Sequence, residues 1–534
     1  MAVKVPTMWN DMYIGNMSEK QAELILKTRV TADVPNLKGM LFNFPPQMVL
    51  QSLNEGISIR EIIKRDNVDY TQYIGALRSY QTVGTAFMYI SPRSIIADGC
   101  GLGKTAEVGA LINWLKQRGE LTRFLIAVET SALGQTQAEL MKFTGLNIVA
   151  LPSVATKLKK AIQKIDWTKV DGIVIKHSTL RSDVFSQWLS LNLDENGMSK
   201  IFNTFFLDES SVIKNNTTKM YNYTKNICNI VGRVHFMNAT AFETSIVDIY
   251  NQLDMMNEIL LPKKWRIEKE YCTFSSVSYW TKENGKAKMN WRRQRSGYKN
   301  QQRFKDSLKL VYFGRSSADV GKDLPHIYKV YEVEPTNDMS VGLEKGYRYS
   351  ELLNCPSLIS DLNIPMDREH VPKLDRLCTL VENEFSNENI MIYCFHIEAQ
   401  KAIADELTKL GRRVITLNGS CSDEERTHAQ EGFNNGTYNV IVTNIKKSLN
   451  LNAGTVCIFY SMETNIAKME QIRGRIDRHT DDTIKTFVML LYAGTPEYKF
   501  FAETVCQRAK DSRDLTIDAK TAADFFKEAM ESTE

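Results

Sequence analysis

No run of about 18 apolar residues occurs in this chain of 534 residues, so no segment reads as a membrane-spanning helix. The opening stretch, MAVKVPTMWNDMYIGN, lacks an apolar core and does not read as a secretion signal. The nine cysteines include no CxxC pair and follow no zinc-ligand rhythm; an odd, dispersed set points to reduced thiols and a cytoplasmic setting. Charge of neither sign dominates: 67 Lys and Arg stand against 63 Asp and Glu, a net charge of +4. A general polybasic coat is excluded, while a local basic face is not. Internal repeats and low-complexity tracts are also absent. Hydrophobic residues make up 43% and charged residues 24%, which removes the collagen-like, disordered and disulfide-scaffold classes. The length suggests about three or four structural units.

What the chain does have is alternation. Residues 1–74 suggest a small helical accessory segment, with capping boxes at Ser18–Gln21 and Ser58–Glu61 separated by Pro45-Pro46. From 75 to 260, short apolar runs at 124–128, 173–175, 205–207 and 234–237 read as buried strands, with helically spaced stretches such as 107–115 between them. The same rhythm returns over 372–510, with strand candidates at 390–395, 414–417, 440–443, 456–460 and 487–491. Two α/β domains are expected, each a parallel sheet with helices on both faces. Residues 261–371 read as a linker with a basic insertion, and 511–534 as a charged, helical C-terminal tail.

Three motifs carry chemistry. Gly99-Cys100-Gly101-Leu102-Gly103-Lys104-Thr105 follows the apolar Ile95-Ile96-Ala97 and precedes a helix-like segment. Glycines there let backbone N–H groups turn inward around phosphates, Lys104 would reach the β- and γ-phosphates, and Thr105 would ligate Mg²⁺ at a helix N-terminus. Asp98 stands where the strict form of the motif has glycine. The apolar Phe205-Phe206-Leu207 ends in Asp208-Glu209, which suits a Mg²⁺ ligand and a water activator; an ordinary acidic loop is the alternative. In Gln471-Ile472-Arg473-Gly474-Arg475-Ile476-Asp477-Arg478, Arg475 and Arg478 are three apart, so a helix would place them on one face. They could stabilise a transferring γ-phosphoryl group or form a solvated basic face.

Taken together in this order, these blocks resemble superfamily 2 helicases, most like the Swi2/Snf2-type branch, over roughly residues 75–500. Leu77-Arg78-Ser79-Tyr80-Gln81 is similar to the family's LRxYQ segment, whose glutamine contacts adenine. Ala97 to Thr105 resembles ADExGLGKT, which accounts for Asp98. Val128 to Gln135, with Thr130 and Ser131, resembles the strand-contacting motif Ia, and Asp208-Glu209-Ser210-Ser211 resembles the DEAH box. Asn238-Ala239-Thr240-Ala241 stands at the place of TGTP. Arg315 through Leu324-Pro325 resembles the stretch ending in DLP. Leu417-Asn418-Gly419-Ser420 with Glu424-Glu425-Arg426 resembles DGSxxxxER, and 443–452 fills the place of motif V. Residues 471–478 match QxxGRxxR, and Gly494-Thr495-Pro496-Glu497 is similar to GTIEE.

The resemblance implies two RecA-like parallel-sheet domains in tandem, with ATP and Mg²⁺ as cofactors bound in a cleft between them. Gln81, Gly99, Gly101, Gly103, Lys104 and Thr105 would bind nucleotide from the first domain, with Gln471 and Gly474 from the second. Lys104, Asp208, Glu209, Arg475 and Arg478 would be catalytic, and Thr105 and Asp208 would hold the metal. Thr130, Ser131, Asn418 and Thr443 would contact nucleic acid. Residues 280–309 carry ten Lys and Arg, with Arg292, Arg293 and Arg295 among them, interleaved with Trp280, Trp291 and Tyr298. That stretch is either a nucleic-acid contact, basic groups meeting phosphates and aromatics meeting bases, or a solvated loop.

The expected activity is an ATP-driven translocase or helicase on duplex or branched DNA. An RNA helicase, a polymerase-recycling ATPase and a weakly catalytic nucleic-acid scaffold are the alternatives. DNA is favoured over RNA, a monomer is expected, and replication, recombination or transcription proteins are candidate partners. Ser211 in place of the DEAH histidine implies a different coupling between the two domains, while the compact size and the missing remodeller insertions suggest a bacterial or phage protein. His177 reads as lying near the nucleic-acid path or as structural, and Cys100 as a small loop residue.

Overall fold

A computed structural model of the protein describes residues 77–99, 101–238, 249–256, 264–283, 286–301, 304, 311–315, 326–336, 365–445, 449–463, 465–477, 483–495, 497–498, 501–506 and 531. The readings for 1–74, for the tail, and for Cys100, Ala239 to Ala241, 446–448 and Arg478 lie outside these residues, Glu531 in the tail excepted. The chain divides into two compact units, Met1–Ser316 with Asp514–Ile517, and Ser317–Arg513 with Asp518–Glu534.

The first unit is built on a seven-stranded sheet. Its strands are β1 (Arg93–Ile96), β2 (Phe124–Val128), β3 (Ile148–Ala150), β4 (Gly172–Lys176), β5 (Thr204–Leu207), β6 (Arg233–Met237) and β9 (Tyr312–Phe313). They lie in the order β3-β4-β2-β5-β6-β1-β9, and every pairing is parallel. Strands covered on both faces must be apolar on both sides, which is why the central ones read as unbroken apolar runs rather than alternating ones.

The two faces can be told apart residue by residue. Ile96, Ile126, Val128 and Phe206 pack with helices α1 (Ser79–Ile90) and α2 (Lys104–Gln117) through Met88, Leu111 and Leu115. Ile95, Leu125, Phe205 and Phe236 pack on the other side against Phe185, Leu189 and Ile227 of the helices Asp183–Ser190 and Lys219–Ile230. Polar residues inside these strands find main-chain partners. Arg93 donates to the carbonyls of Met255 (2.8 Å), Cys228 (2.5 Å) and Val231 (3.2 Å). Buried Arg233 donates to those of Met88 and Tyr89.

The segment read as a linker is more ordered than that reading implied. Its basic part forms an antiparallel ribbon of β7 (Cys272–Glu283) and β8 (Lys286–Tyr298), with a register shift at Thr273/Phe274. The ribbon is rooted in the first core by buried Tyr271 and Cys272, with Phe304 beside Tyr271. Beyond it the chain adds β9 to the first sheet and β10 (Ile327–Val333) to the second. Both are edge strands, and neither carries the apolar run that marked the central ones.

The second unit has a six-stranded parallel sheet in the order β10-β15-β14-β11-β13-β12. The remaining strands are β11 (Ile390–Tyr393), β12 (Val414–Leu417), β13 (Val440–Thr443), β14 (Val456–Phe459) and β15 (Thr486–Tyr492). Helix α3 (Pro372–Asn383) and the helix Ile397–Lys409 cover one face through Leu377, Val381 and Ile403. On the other face lie Phe433 of the helix Asp423–Asn434 and Met469 and Ile472 of α4 (Ile466–Arg473). The architecture is that of two α/β domains in tandem, each a parallel sheet with helices on both faces. Among the described residues, no helix is long and apolar enough to cross a membrane.

Candidate nucleotide-binding site

Because every strand of the first sheet is parallel, the segments leaving their carboxyl ends share one edge, where open α/β sheets bind ligands. The loop Gly99–Lys104 leaves β1, Asp208-Glu209 leaves β5, Asn238 leaves β6, Thr130-Ser131 leaves β2, and His177 leaves β4. A single strand, β6, separates the glycine loop from the acidic pair.

The glycine loop has a specific construction. Gly101 and Gly103 have φ of 79° and 83°, a left-handed region in which a side chain is strained. Gly103 is the N-cap of α2 and offers no side-chain cap, so the first N–H groups of the helix remain for an anion. A Cβ on Gly103 would lie 2.4 Å from Nε2 of Gln81. The Gln81 amide clamps the loop: Nε2 donates to the Leu102 carbonyl (3.0 Å) and Oε1 accepts from the Arg78 N–H (3.0 Å). The Tyr80 hydroxyl donates to the same Leu102 carbonyl (3.0 Å), and the Leu102 side chain is fully buried. Gly99 is held from the other side, its N–H donating to the Arg315 carbonyl at 2.8 Å. The Lys104 ammonium bonds back to the carbonyls of Asp98 (2.7 Å) and Gly99 (3.3 Å). It thus lies across the base of the loop, where it can exchange carbonyl oxygens for phosphate oxygens.

Beside the loop lies a buried charge cluster that the motifs did not reveal. Asp98 and Glu107 are fully buried, and the Arg315 guanidinium binds both. Burial and the neighbouring Asp98 push the Glu107 carboxyl well above its usual range, against the pull of Arg315 and Lys104. No spacing rule could have found this group, because Arg315 is 217 residues from Asp98.

Asp208 and Glu209 are half-buried at the end of β5. Glu209 takes the left-handed conformation, φ 50° and ψ 54°, unusual for a residue with a Cβ, and starts the short 3-10 helix Ser210–Ile213. His177 Nε2 lies 2.9 Å from the Asp208 carbonyl, so this histidine steadies the acidic corner. The Thr105 hydroxyl, in the first turn of α2, and the Asp208 carboxylate offer hard oxygen donors of the kind Mg²⁺ takes. Thr130 is exposed and Ser131 half-buried, in a one-turn 3-10 helix after β2.

In the second unit the corresponding edge carries Asn418 after β12 and Thr443 at the end of β13. The Asn418 side chain accepts from the Ser420 N–H and hydroxyl. Thr443 is fully buried and its hydroxyl accepts from the Ile445 N–H (3.0 Å), so this side chain closes its own turn. Of the two arginines expected on one helical face, Arg475 lies beyond the helix, and Arg478 lies outside the described residues. Helix α4 ends at Arg473 and Gly474 is its C-cap, so Arg475 lies in the turn beyond. There Arg475 Nε donates to the Gln471 carbonyl (2.7 Å) and a terminal nitrogen donates to that of Leu449 (3.1 Å). Gln471 and Gly474 are buried. Arg473 is held by Glu470 (2.9 Å), Asp477 (3.2 Å) and the Tyr328 hydroxyl (3.3 Å), a structural role.

On the basic ribbon, Arg293 lies over the Phe274 ring at 3.7 Å, and Trp291 is 64% exposed. Arg292 and Arg295 belong to strand β8, where the backbone pairs them in register with Val277 and Phe274 of β7.

Residues 372–480 match the model of the helicase conserved C-terminal domain. The chain is 24% identical over 489 residues to the Bacillus subtilis protein named "Putative ATP-dependent helicase/translocase YwqA", covering 88% of this chain and 51% of that one. It thus spans about half the length of that relative. Among solved structures, a SWI2/SNF2 ATPase core of Sulfolobus solfataricus in complex with dsDNA aligns with 81% of this chain and 91% of its own, at 18% identity and a TM-score of 0.40. The Hef helicase domain of Pyrococcus furiosus aligns with 80% of this chain and 98% of its own, at 15% identity and a TM-score of 0.47. The matched domain and the relative's name bear out the helicase resemblance read from the motifs.

Proposed function

We propose that the chain is an ATP-dependent nucleic-acid translocase or helicase that acts on duplex or branched DNA. The observation that carries this reading is the shared carboxyl edge of one parallel sheet, at which both a left-handed glycine loop with Lys104 and the corner Asp208-Glu209 lie. Bound Mg²⁺ would neutralise charge on the phosphates. Thr105 and Asp208 would hold it, Lys104 would leave the loop carbonyls for the β- and γ-phosphates, and Glu209 would orient the attacking water. Arg475 and Arg478 would stabilise the transferring phosphoryl group, and Gln81 and Gly103 would fix the loop. Thr130, Ser131, Asn418 and the ribbon arginines Arg292, Arg293 and Arg295 would meet the phosphate backbone, which gives weak sequence preference.

The test is steady-state ATP hydrolysis without nucleic acid and with single-stranded DNA, duplex DNA, forked DNA and RNA. Stimulation by duplex or forked DNA, abolished in Lys104→Ala and Glu209→Gln, is the expected result. Stimulation by RNA alone would replace DNA by RNA. An unchanged rate with every nucleic acid would remove nucleic acid as the activator and turn attention to a protein partner. Full activity in Lys104→Ala would overturn the catalytic reading.

A further inference from the structure

We propose that Arg315 is a positioning residue of the nucleotide site, a fork that sets the glycine loop although it need not touch a phosphate; this rests on the ATP reading above. Its guanidinium reaches three segments at once. Nε donates to Asp98 Oδ1 at 3.1 Å and a terminal nitrogen to Asp98 Oδ2, at the entry to the loop. The same nitrogen meets Glu107 Oε1 at 2.5 Å, in the first turn of α2. The other terminal nitrogen donates to the carbonyl of Tyr80, next to Gln81. These are the entry, the exit and the clamp of one loop.

The surroundings leave the fork little freedom. The rings of Tyr80 and Phe313 lie 5.2 and 4.7 Å from the guanidinium carbon. A Cβ on Gly84 of α1 would fall 2.4 Å from Glu107 and 2.7 Å from Arg315, so α1 presses its glycine onto the ion cluster. The main chain repeats the attachment: the Ala97 N–H donates to the Phe313 carbonyl (2.7 Å) and the Gly99 N–H to that of Arg315 (2.8 Å). The short edge strand β9 therefore runs alongside β1 into the loop and delivers Arg315 to its base. The guanidinium has five N–H donors in a rigid fork, so it can hold three acceptors at fixed angles; an ammonium is a point charge and cannot. Among the described residues, Asp98 and Glu107 share this one guanidinium, while the Lys104 ammonium bonds to the main-chain carbonyls of Asp98 and Gly99.

A purely structural role predicts that stability and nucleotide affinity fall together and recover together. A positioning role predicts that they separate. The experiment measures binding of a fluorescent ATP analogue, KM and kcat for ATP, and the melting temperature, in Arg315→Lys and in Arg315→Met/Asp98→Asn/Glu107→Gln, which removes the cation together with both carboxylates it holds. The expected result is a melting temperature near that of the unaltered protein in at least the second variant. Analogue affinity falls about tenfold or more and KM rises in step in both, with a smaller change in kcat. A well-folded variant with unaltered affinity and KM would overturn the proposal while leaving the ATP reading intact. Failure of the unaltered protein to bind the analogue would overturn both.

Discussion

Both units of this protein hold a cation against buried carboxylates near the carboxyl ends of their strands, and the two clusters are built for different ends. In the first unit Arg315 spans Asp98, Glu107 and the Tyr80 carbonyl, around a loop whose glycines leave helix N–H groups for an anion. In the second, Lys373 meets Glu497 at 2.9 and 3.1 Å, with the rings of Tyr460 and Tyr492 at 5.6 and 5.0 Å. Lys373 is in the first turn of α3, where the helix dipole disfavours a cation, and Glu497 offsets that while its other contact, from the Tyr492 N–H, fixes the end of β15. The arginine cluster borders a loop shaped for a ligand; the lysine pair joins a helix start to a strand end and closes a core. A buried ion pair is thus not by itself a sign of chemistry.

The sharpest way to break this contrast is within the arginine run. Arg475→Ala should lower kcat about 10³-fold or more with little change in melting temperature. Arg473→Ala should lower the melting temperature, because it removes the half-buried cation that pairs with Glu470 and Asp477. The reverse outcome, measured by hydrolysis and thermal melting, would exchange their roles.

Next in size is the lysine pair. Lys373→Met should destabilise the second unit by about 3–5 kcal/mol in urea unfolding, and Lys373→Met/Glu497→Leu should lose much less, because no uncompensated charge stays buried. ATP affinity in the folded variants should be unchanged; a selective loss of affinity would make this cluster functional too.

A smaller effect belongs to His235, fully buried in β6, 2.8 Å from the Ser94 hydroxyl. Burial, with Arg233 and Arg93 nearby, holds its pKa well below the usual histidine value. The unfolded chain then binds a proton that the native state refuses. Stability falls as pH drops below about 6.5, by up to about 1.4 kcal/mol per pH unit, until the folded-state pKa is reached. His235→Gln should flatten that limb of the stability curve.

Smallest is Arg293→Ala on the ribbon. It should lower the slope of log affinity against log salt by about one, with no change in unstimulated hydrolysis.

How much was legible in the sequence differed by element. The central strands of both sheets were readable because burial on both faces demands unbroken apolar runs. Strands β9 and β10 were not, since edge strands are short or half-exposed; their residues fell within a stretch assigned to a linker. The helical face expected for Arg475 failed because α4 stops at Arg473, with Gly474 closing it. The basic stretch was visible as composition, but its pairing into a ribbon rooted at Tyr271 was not.

By itself the sequence determined what adjacent residues settle together: apolar runs that become parallel strands, glycines that permit left-handed turns, and the lysine and acidic pair that follow such strands. The tertiary structure alone decided the fate of the charged groups. Asp98 with Arg315, Lys373 with Glu497 and Arg473 with Tyr328 are separated in the chain by 217, 124 and 145 residues. A buried charge needs a partner in space, and the chain distance to that partner is set by how the strands are ordered in the sheet, not by any local pattern.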